Sequence, residues 1–280
     1  MKFTIFTPTY NRKELLKKLY FSLQNQTFKD FEWLIVDDGS NDGTNELVKD
    51  FLKEKKLDIK YFFKENGGKQ RAYNFALEKA QGELFICLDS DDEYKNYGLE
   101  IILKYLKKYE NNKNLAGMGY LSTYPDGKII GSAFPKDELI ATQFEAYNKY
   151  GVTGDKGLVF FTKIIKKFPF PVFDGEKFIT EAVVYNRICR NYKMLYVNEK
   201  IEIKDGIVNN REWEKEYINS AKHYLSLLDY ANIIDIMQDN EIEVNDIFIK
   251  NCLENFDKDS QVKMKKLLYL LEFTDIKKAQ

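Results

Sequence analysis

At 280 residues and 33.1 kDa the chain has the length for one large α/β domain, or for a domain with an appendage. Its 43 Lys and Arg balance 44 Asp and Glu, and a formal net charge of −1 excludes the electrostatic footprint of a nucleic-acid binder. No run nears the ~18 apolar residues of a membrane span, Met1-Lys2-Phe3-Thr4 opens a strand rather than a signal peptide, and Cys87, Cys189 and Cys252 read as reduced core thiols of a cytosolic protein.

Phe3 to Thr7 is expected to form a first strand ending at Pro8, with Thr9-Tyr10-Asn11 as its loop. Asn11 suits the N-cap of a helix whose Leu15, Leu16, Leu19 and Leu23 share one face. Trp33-Leu34-Ile35-Val36 makes a second strand running into Asp37-Asp38-Gly39-Ser40, and Leu47, Val48, Phe51 and Leu52 mark a second helix. Ile59 to Phe63 is the third strand, followed by Glu65-Asn66-Gly67-Gly68-Lys69 and a helix carrying Ala72, Ala76, Leu77 and Ala80, ended by Gly82. Leu84-Phe85-Ile86-Cys87-Leu88 is short and wholly apolar, so it reads as a strand buried on both faces. Four strand–loop–helix units predict a mostly parallel sheet with right-handed crossovers and helices on both faces.

Beyond it, Leu99, Ile102, Leu103 and Leu106 set a further helix, and Tyr124-Pro125-Asp126-Gly127-Lys128 joins a hairpin. Residues 132–157 are poorly patterned, and loops with some helix are expected there. Leu158 to Phe161, Met194 to Val197 and Ile201 to Ile203 read as short strands, and Phe168-Pro169-Phe170-Pro171 as extended chain. From about Arg211 the pattern turns helical. The expected organisation is a nucleotide-binding half over 1–110, a second half of the same domain over 111–210, and a helical extension over 211–280.

The chemistry centres on Asp89-Ser90-Asp91-Asp92. These acids end a buried strand, where ligands bind in an open α/β sheet, and unpaired carboxylates cannot be core. Two of them ~4 Å apart repel by roughly 4 kcal/mol at intermediate dielectric unless a cation joins them. A divalent ion with oxygen ligands, Mn2+ or Mg2+, answers that repulsion; a solvated acidic turn is the plainer alternative.

Thr7-Pro8-Thr9-Tyr10-Asn11, Val36-Asp37-Asp38-Gly39-Ser40, Asn66-Gly67-Gly68-Lys69 and Leu88-Asp89-Ser90-Asp91-Asp92, in that order, resemble the family 2 glycosyltransferases of GT-A fold. Gly175-Glu176-Lys177-Phe178-Ile179-Thr180-Glu181 extends the likeness to about residue 205. The resemblance implies an inverting, nucleotide-sugar-dependent enzyme. Pro8 and Tyr10 would wall the base pocket, and Asp38 would accept the uracil N3–H, with a plain helix-entry turn as the alternative reading of Asp37. Gly68 and Lys69 would approach base or diphosphate, Asp89 the ribose hydroxyls, and Asp91 or Asp92 the metal. Glu181 matches the family's base position, with Asp174 and Glu176 as alternatives because Thr180 stands where many relatives have a second acid.

A UDP-sugar donor and a saccharide or lipid-linked glycan acceptor follow from the same likeness, with work at the inner membrane surface. The lysines Lys250, Lys258, Lys263, Lys265 and Lys266 leave two readings of the tail, a lipid- or partner-contacting face and a solvated helical bundle. His223, the lone histidine, is given no role. Rival readings are a haloacid dehalogenase-like phosphohydrolase, disfavoured by Glu93 two residues after the second Asp, and a non-catalytic sugar-nucleotide-binding module, disfavoured by the retained acids. A calcium loop would need Gly where Tyr94 stands.

Overall fold

Four parallel strands organise the molecule, and their C-terminal ends carry every motif of the first hundred residues. In this computed structural model residues 2–172, 177, 179 and 181–204 are described. The helical extension expected from Arg211, together with His223 and Cys252, lies outside the described residues. The strands are β1 (Phe3–Thr9), β2 (Phe31–Asp37), β3 (Asp58–Phe63), β4 (Leu84–Cys87), β5 (Asp92–Tyr94), β6 (Leu115–Thr123), β7 (Leu139–Ala141), β8 (Lys156–Phe161) and β9 (Lys193–Lys204). They form one sheet in the order β3-β2-β1-β4-β8-β6-β9-β5, with β7 added against β9. The helices are α1 (Lys13–Gln24), α2 (Thr44–Glu54), α3 (Lys69–Lys79), α4 (Gly98–Lys108), α5 (Thr162–Ile165) and α6 (Ala182–Cys189).

The first half, β3-β2-β1-β4, is parallel throughout, as the four strand–helix units require. The second half is mixed: β8 runs antiparallel to both β4 and β6, and β9 returns parallel to β6. One sheet therefore spans the two expected halves. All seven residues of β2 are buried, as a two-faced central strand demands. On one face Tyr20 of α1 stacks on Phe51 of α2 at 3.8 Å and lies 6.1 Å from Trp33, whose indole N–H donates to Thr7 Oγ1 at 2.9 Å. On the other, Phe6, Tyr73, Phe85 and Phe170 pack edge-on or stacked at 5.0–5.9 Å.

Several boundaries differ from the sequence expectation. Pro8 does not end β1; the strand runs to Thr9, with Pro8 in register with Val36. The carbonyl of Phe6 accepts the Leu88 N–H from the β4 side, so Pro8, two residues on, presents its missing donor to that side, beyond the last β4 pair. Asn11 is not the helix cap, a place taken by Arg12; it sits at φ 53° and spends its side chain on the neighbouring loop. Gly82 lies beyond the helix end at Ala80, beneath β1, where a Cβ would come within 2.4 Å of the Thr4 nitrogen. The two short strands expected near the end of this unit merge into the 12-residue β9. In the poorly patterned stretch β7 precedes a single π-helical turn, Glu145–Lys149. The 124–128 turn forms as expected, closed by hydrogen bonds of 2.9 Å between Tyr124 and Lys128 and between Ile130 and Ser122.

Opposite the motif edge, Glu32 is fully buried and ties three strands together. It accepts from Thr4 Oγ1, from Lys60 Nζ, and from the backbone N–H of Gln81 at 2.7 Å. Burial alone would push its carboxyl up, but the Lys60 ammonium, the Thr4 hydroxyl and that amide hold it below the usual glutamate value of 4.5. A depressed native pKa gives stability that is present above 4.5 and lost as pH falls through the native value. Replacing Glu32 by Ala is expected to cost about 3 kcal/mol, since several buried donors lose their acceptor together. Urea denaturation at pH 7 and pH 4 checks this: the wild type should lose more stability on acidification than the variant. Equal stability of the two proteins at pH 7 would remove Glu32 from this role.

Candidate active site

Four loops leave the C-terminal ends of β1 to β4 and lie against one another. The first two are joined by side chain to backbone: the Asn11 N–H donates to Ser40 Oγ at 2.9 Å, the Asn41 N–H to Asn11 Oδ1 at 2.8 Å, and the Lys13 N–H to Asp42 Oδ2 at 3.0 Å. Tyr10 on this pair of loops is 49% exposed and can offer a ring face to a planar ligand.

Asp37 and Asp38 divide their duties. Asp37 is fully buried, accepting the Ser40 N–H at 2.7 Å and the Tyr61 hydroxyl at 2.7 Å, so it shapes the turn. Asp38 reaches across to the third loop, where it accepts the amides of Gly67 at 3.0 Å and Gly68 at 2.7 Å and the Lys64 ammonium. A carboxylate has about four acceptor positions, so these three bonds leave room for one more.

Gly68 is required where it stands. Its φ is +92°, and a Cβ there would lie 1.9 Å from the carbonyl oxygen of Lys177. The Lys177 ammonium donates to Asn66 Oδ1 at 3.0 Å, which binds the same loop a second time. Arg71 donates to the Gly67 carbonyl at 2.8 Å.

The acid cluster after β4 is resolved by three different cations. Lys69 Nζ lies 2.8 Å from Asp89 Oδ1, Arg12 Nη1 lies 3.0 Å from Asp91 Oδ1, and Lys204 Nζ lies 2.9 Å from Asp92 Oδ2. Repulsion among the carboxylates, which the sequence reading relieved with a metal, is thus relieved here within the chain. Asp89 feels burial, which would raise its pKa, but Lys69, Lys204 and Arg12 hold it below the usual carboxylate value. Asp92 starts β5 and is buried, cross-strand from Lys204 of β9. Burial and the nearby Glu202 carboxylate raise it, so this pair is a structural one beneath the loop. Asp89 and Asp91 both stay in the loop between β4 and β5, with their carboxylates at the mouth.

From the second half of the chain Glu181 caps α6, and its Oε1 lies 2.8 Å from the same Lys69 ammonium. Burial would lower Lys69, yet Asp89 and Glu181 together push it well above the usual lysine value. The approach to Glu181 is anchored on α3: Asn74 donates to the Phe170 carbonyl and accepts its N–H, both at 2.8 Å. Asp174 and Glu176, the alternative acids, lie outside the described residues. The site therefore gathers Pro8, Tyr10, Asp38, Gly68, Lys69, Asp89, Asp91 and Glu181 at one edge and turns Asp92 inward. Arg12, Lys64, Lys177 and Lys204 were not anticipated, because lone basic residues in a chain with 43 of them carry no sequence signal.

Among the described residues no three His, Cys, Asp or Glu side chains converge as a metal cage. A Mg2+-type ion does not need one, since it is commonly held by one or two carboxylates, waters and substrate phosphates. Asp91, an oxygen donor at the mouth with its side chain 18% exposed, fits that kind of shell.

An open sheet of this order, with its chemistry on the loops after four parallel strands, is the architecture of a GT-A type glycosyltransferase. Residues 4–162 match the model of the glycosyl transferase family 2, and the chain belongs to that family. A GalNAc(5)-diNAcBac-PP-undecaprenol beta-1,3-glucosyltransferase of Campylobacter jejuni is 38% identical over 242 residues, which is 84% of this chain and 74% of that protein. An uncharacterized glycosyltransferase of Rickettsia bellii is 33% identical over 48% of this chain, and the chain spans only 20% of its length. Among solved structures, Staphylococcus aureus TarS shares the fold at a TM-score of 0.60 and 24% identity, over 73% of this chain and 36% of that one. The fold of a Pyrobaculum calidifontis mannosyltransferase, solved with GDP-Man and Mn2+, covers 98% of this chain and 75% of its own at a TM-score of 0.59 and 15% identity.

Proposed function

We propose that the chain transfers a sugar, with inversion, from a UDP-sugar to a saccharide or lipid-linked glycan acceptor in cell-surface polysaccharide synthesis. The observation that carries this reading is the meeting of a donor-side acid, Asp89, and an acceptor-side acid, Glu181, at one edge of the sheet through Lys69. Support for the donor comes from TarS, solved in complex with UDP-GlcNAc. Support for the acceptor comes from the Campylobacter relative, named for an undecaprenol-linked glycan. A lipid-linked acceptor would bring the enzyme to the inner membrane surface; among the described residues no helix is long and apolar enough to cross a membrane.

In this reading Tyr10 and Pro8 flank the base, and the free acceptor position of Asp38 takes the uracil N3–H. Asp89 accepts the ribose hydroxyls. Asp91, rather than the inward-turned Asp92, would hold a divalent cation, which when bound neutralises the departing diphosphate. Glu181 takes the proton of the acceptor hydroxyl as its oxygen bonds to the anomeric carbon. The bond from that carbon to the phosphate oxygen breaks with its electron pair leaving on UDP. The phosphohydrolase alternative falls with membership of the transferase family.

Thermal denaturation with UDP, CDP and GDP, each with and without Mn2+, tests the donor. A ligand at 100 times its Kd stabilises by about 2.7 kcal/mol, so UDP should raise Tm by several degrees where CDP does not. Equal shifts with all three nucleotides, or none with any, would defeat the UDP assignment. Calorimetry on Asp38→Ala adds a residue-level check. The expected loss of UDP affinity is about 1.5–3 kcal/mol, a hydrogen bond to a charged acceptor, and an unchanged Kd would take Asp38 out of the nucleotide site.

A further inference from the structure

Lys69 is the first residue of α3, held by Gly68 on one side and by the helix on the other. Its ammonium contacts two carboxylates that come from separate loops, Asp89 and Glu181, each at 2.8 Å. With its two partners it makes a cluster of net charge −1, so it is not a spare cation for a diphosphate. We propose that Lys69 is a positioning residue for Glu181, fixing the carboxylate of the base at the donor edge, and that it does not itself bind the nucleotide. This rests on the glycosyltransferase reading above and replaces the nucleotide-binding role that the family likeness implies for Lys69.

Three features make the contact a built one. The side chain of Lys69 is two-thirds buried, with 32% exposed, so its hydrogen bonds are less screened than those of a surface lysine. The same helix grips the chain leading to Glu181 through the paired Asn74–Phe170 bonds. The loop in front of it is overlaid by the Lys177 carbonyl at Gly68. Lys69 therefore sits where donor loop, helix α3 and the base converge. A carboxylate at a helix start has several rotamers; an ammonium anchored on a second element selects one. Misplacing a reacting group by about 1 Å can cost on the order of 100-fold in rate.

The full-length chain, its Lys69→Met variant and its Lys69→Arg variant distinguish the roles. UDP binding is measured by calorimetry, and UDP release from UDP-glucose and UDP-N-acetylglucosamine by single-turnover assay. Lys69→Met should slow release by about 100-fold while UDP affinity stays within about threefold of the wild type, and Lys69→Arg should recover most of the rate, because arginine also offers a charged donor. A fall in UDP affinity that matches the fall in rate would make Lys69 a nucleotide ligand and overturn the proposal; so would an unchanged rate. A ligand-free measurement stands beside these, the 1H–15N signal of the Lys69 ammonium, assigned by its loss in Lys69→Arg. It should shift in Glu181→Gln as well as in Asp89→Asn. A signal that responds to Asp89→Asn alone overturns the proposal, whatever the enzyme turns over. Failure of the wild type to bind UDP or release it from either donor, with the ammonium signal still coupled to Glu181, would instead count against the glycosyltransferase reading.

Discussion

Glu181→Gln should lower turnover by about 10²–10⁴-fold, the span of general-base catalysis, with UDP affinity within about threefold of the wild type. A sugar hydroxyl is a very weak acid, so attack on the anomeric carbon needs its proton removed as the new bond forms. The other acids at the site are committed: Asp38 to Lys64 and two loop amides, Asp91 to Arg12, and Asp92 to Lys204 beneath the surface. Glu181 enters from the second half of the chain, on the start of α6, and among the described residues shares its ammonium partner with Asp89. Glutamine keeps the shape and removes the basicity. Near-native turnover would move the role to Asp174 or Glu176, and a parallel loss of UDP binding would mark Glu181 as part of the scaffold.

Asp91→Asn should abolish the Mn2+ dependence of UDP binding and lower turnover by at least about 100-fold, the scale of losing one preorganised electrostatic contact in a transition state. The fold should survive, because Asp91 lies in the loop between β4 and β5 and, among the described residues, pairs with the half-buried Arg12. Asp92→Asn is the informative contrast. It neutralises the buried cross-strand partner of Lys204 and should leave the Mn2+ dependence of UDP binding in place. Calorimetry with and without Mn2+, beside urea denaturation of the same preparations, separates the two acids. Retained Mn2+ dependence in Asp91→Asn together with its loss in Asp92→Asn would reverse the assignment.

The parallel half of the fold was legible because burial on both faces writes near-continuous apolar runs, as in Leu84 to Leu88 and Trp33 to Val36, and because glycines and acids mark where each run ends. Asp89 and Asp91 were legible at the mouth because they follow a buried strand, whereas the inward turn of Asp92 was not. Nor were their partners. Asp91 finds Arg12 across 79 positions and Asp92 finds Lys204 across 112, and no local pattern links residues so far apart. Electrostatic reasoning reached for a cation from solution and did not anticipate the three that the chain supplies. Asp37 and Asp38 look alike in sequence; only Tyr61 beneath one and the Gly67–Gly68 amides before the other assign the first to the turn and the second to the neighbouring loop. Pro8 misled in the other direction, because a proline is tolerated inside β1 once its neighbour β4 has ended. The mixed half was least readable: β5 and β7 are three residues each, too short for a periodic signal.

The stereochemistry of the first product is the most direct test of the whole account. Proton NMR can follow the full-length chain with Mn2+ and α-linked UDP-glucose or UDP-N-acetylglucosamine, water or added glycan serving as acceptor. The account predicts release of UDP with a β-configured sugar product at early times, before any mutarotation, and loss of that signal in Glu181→Gln. An α-configured first product, or no UDP release from either donor under conditions where UDP itself binds, would contradict it.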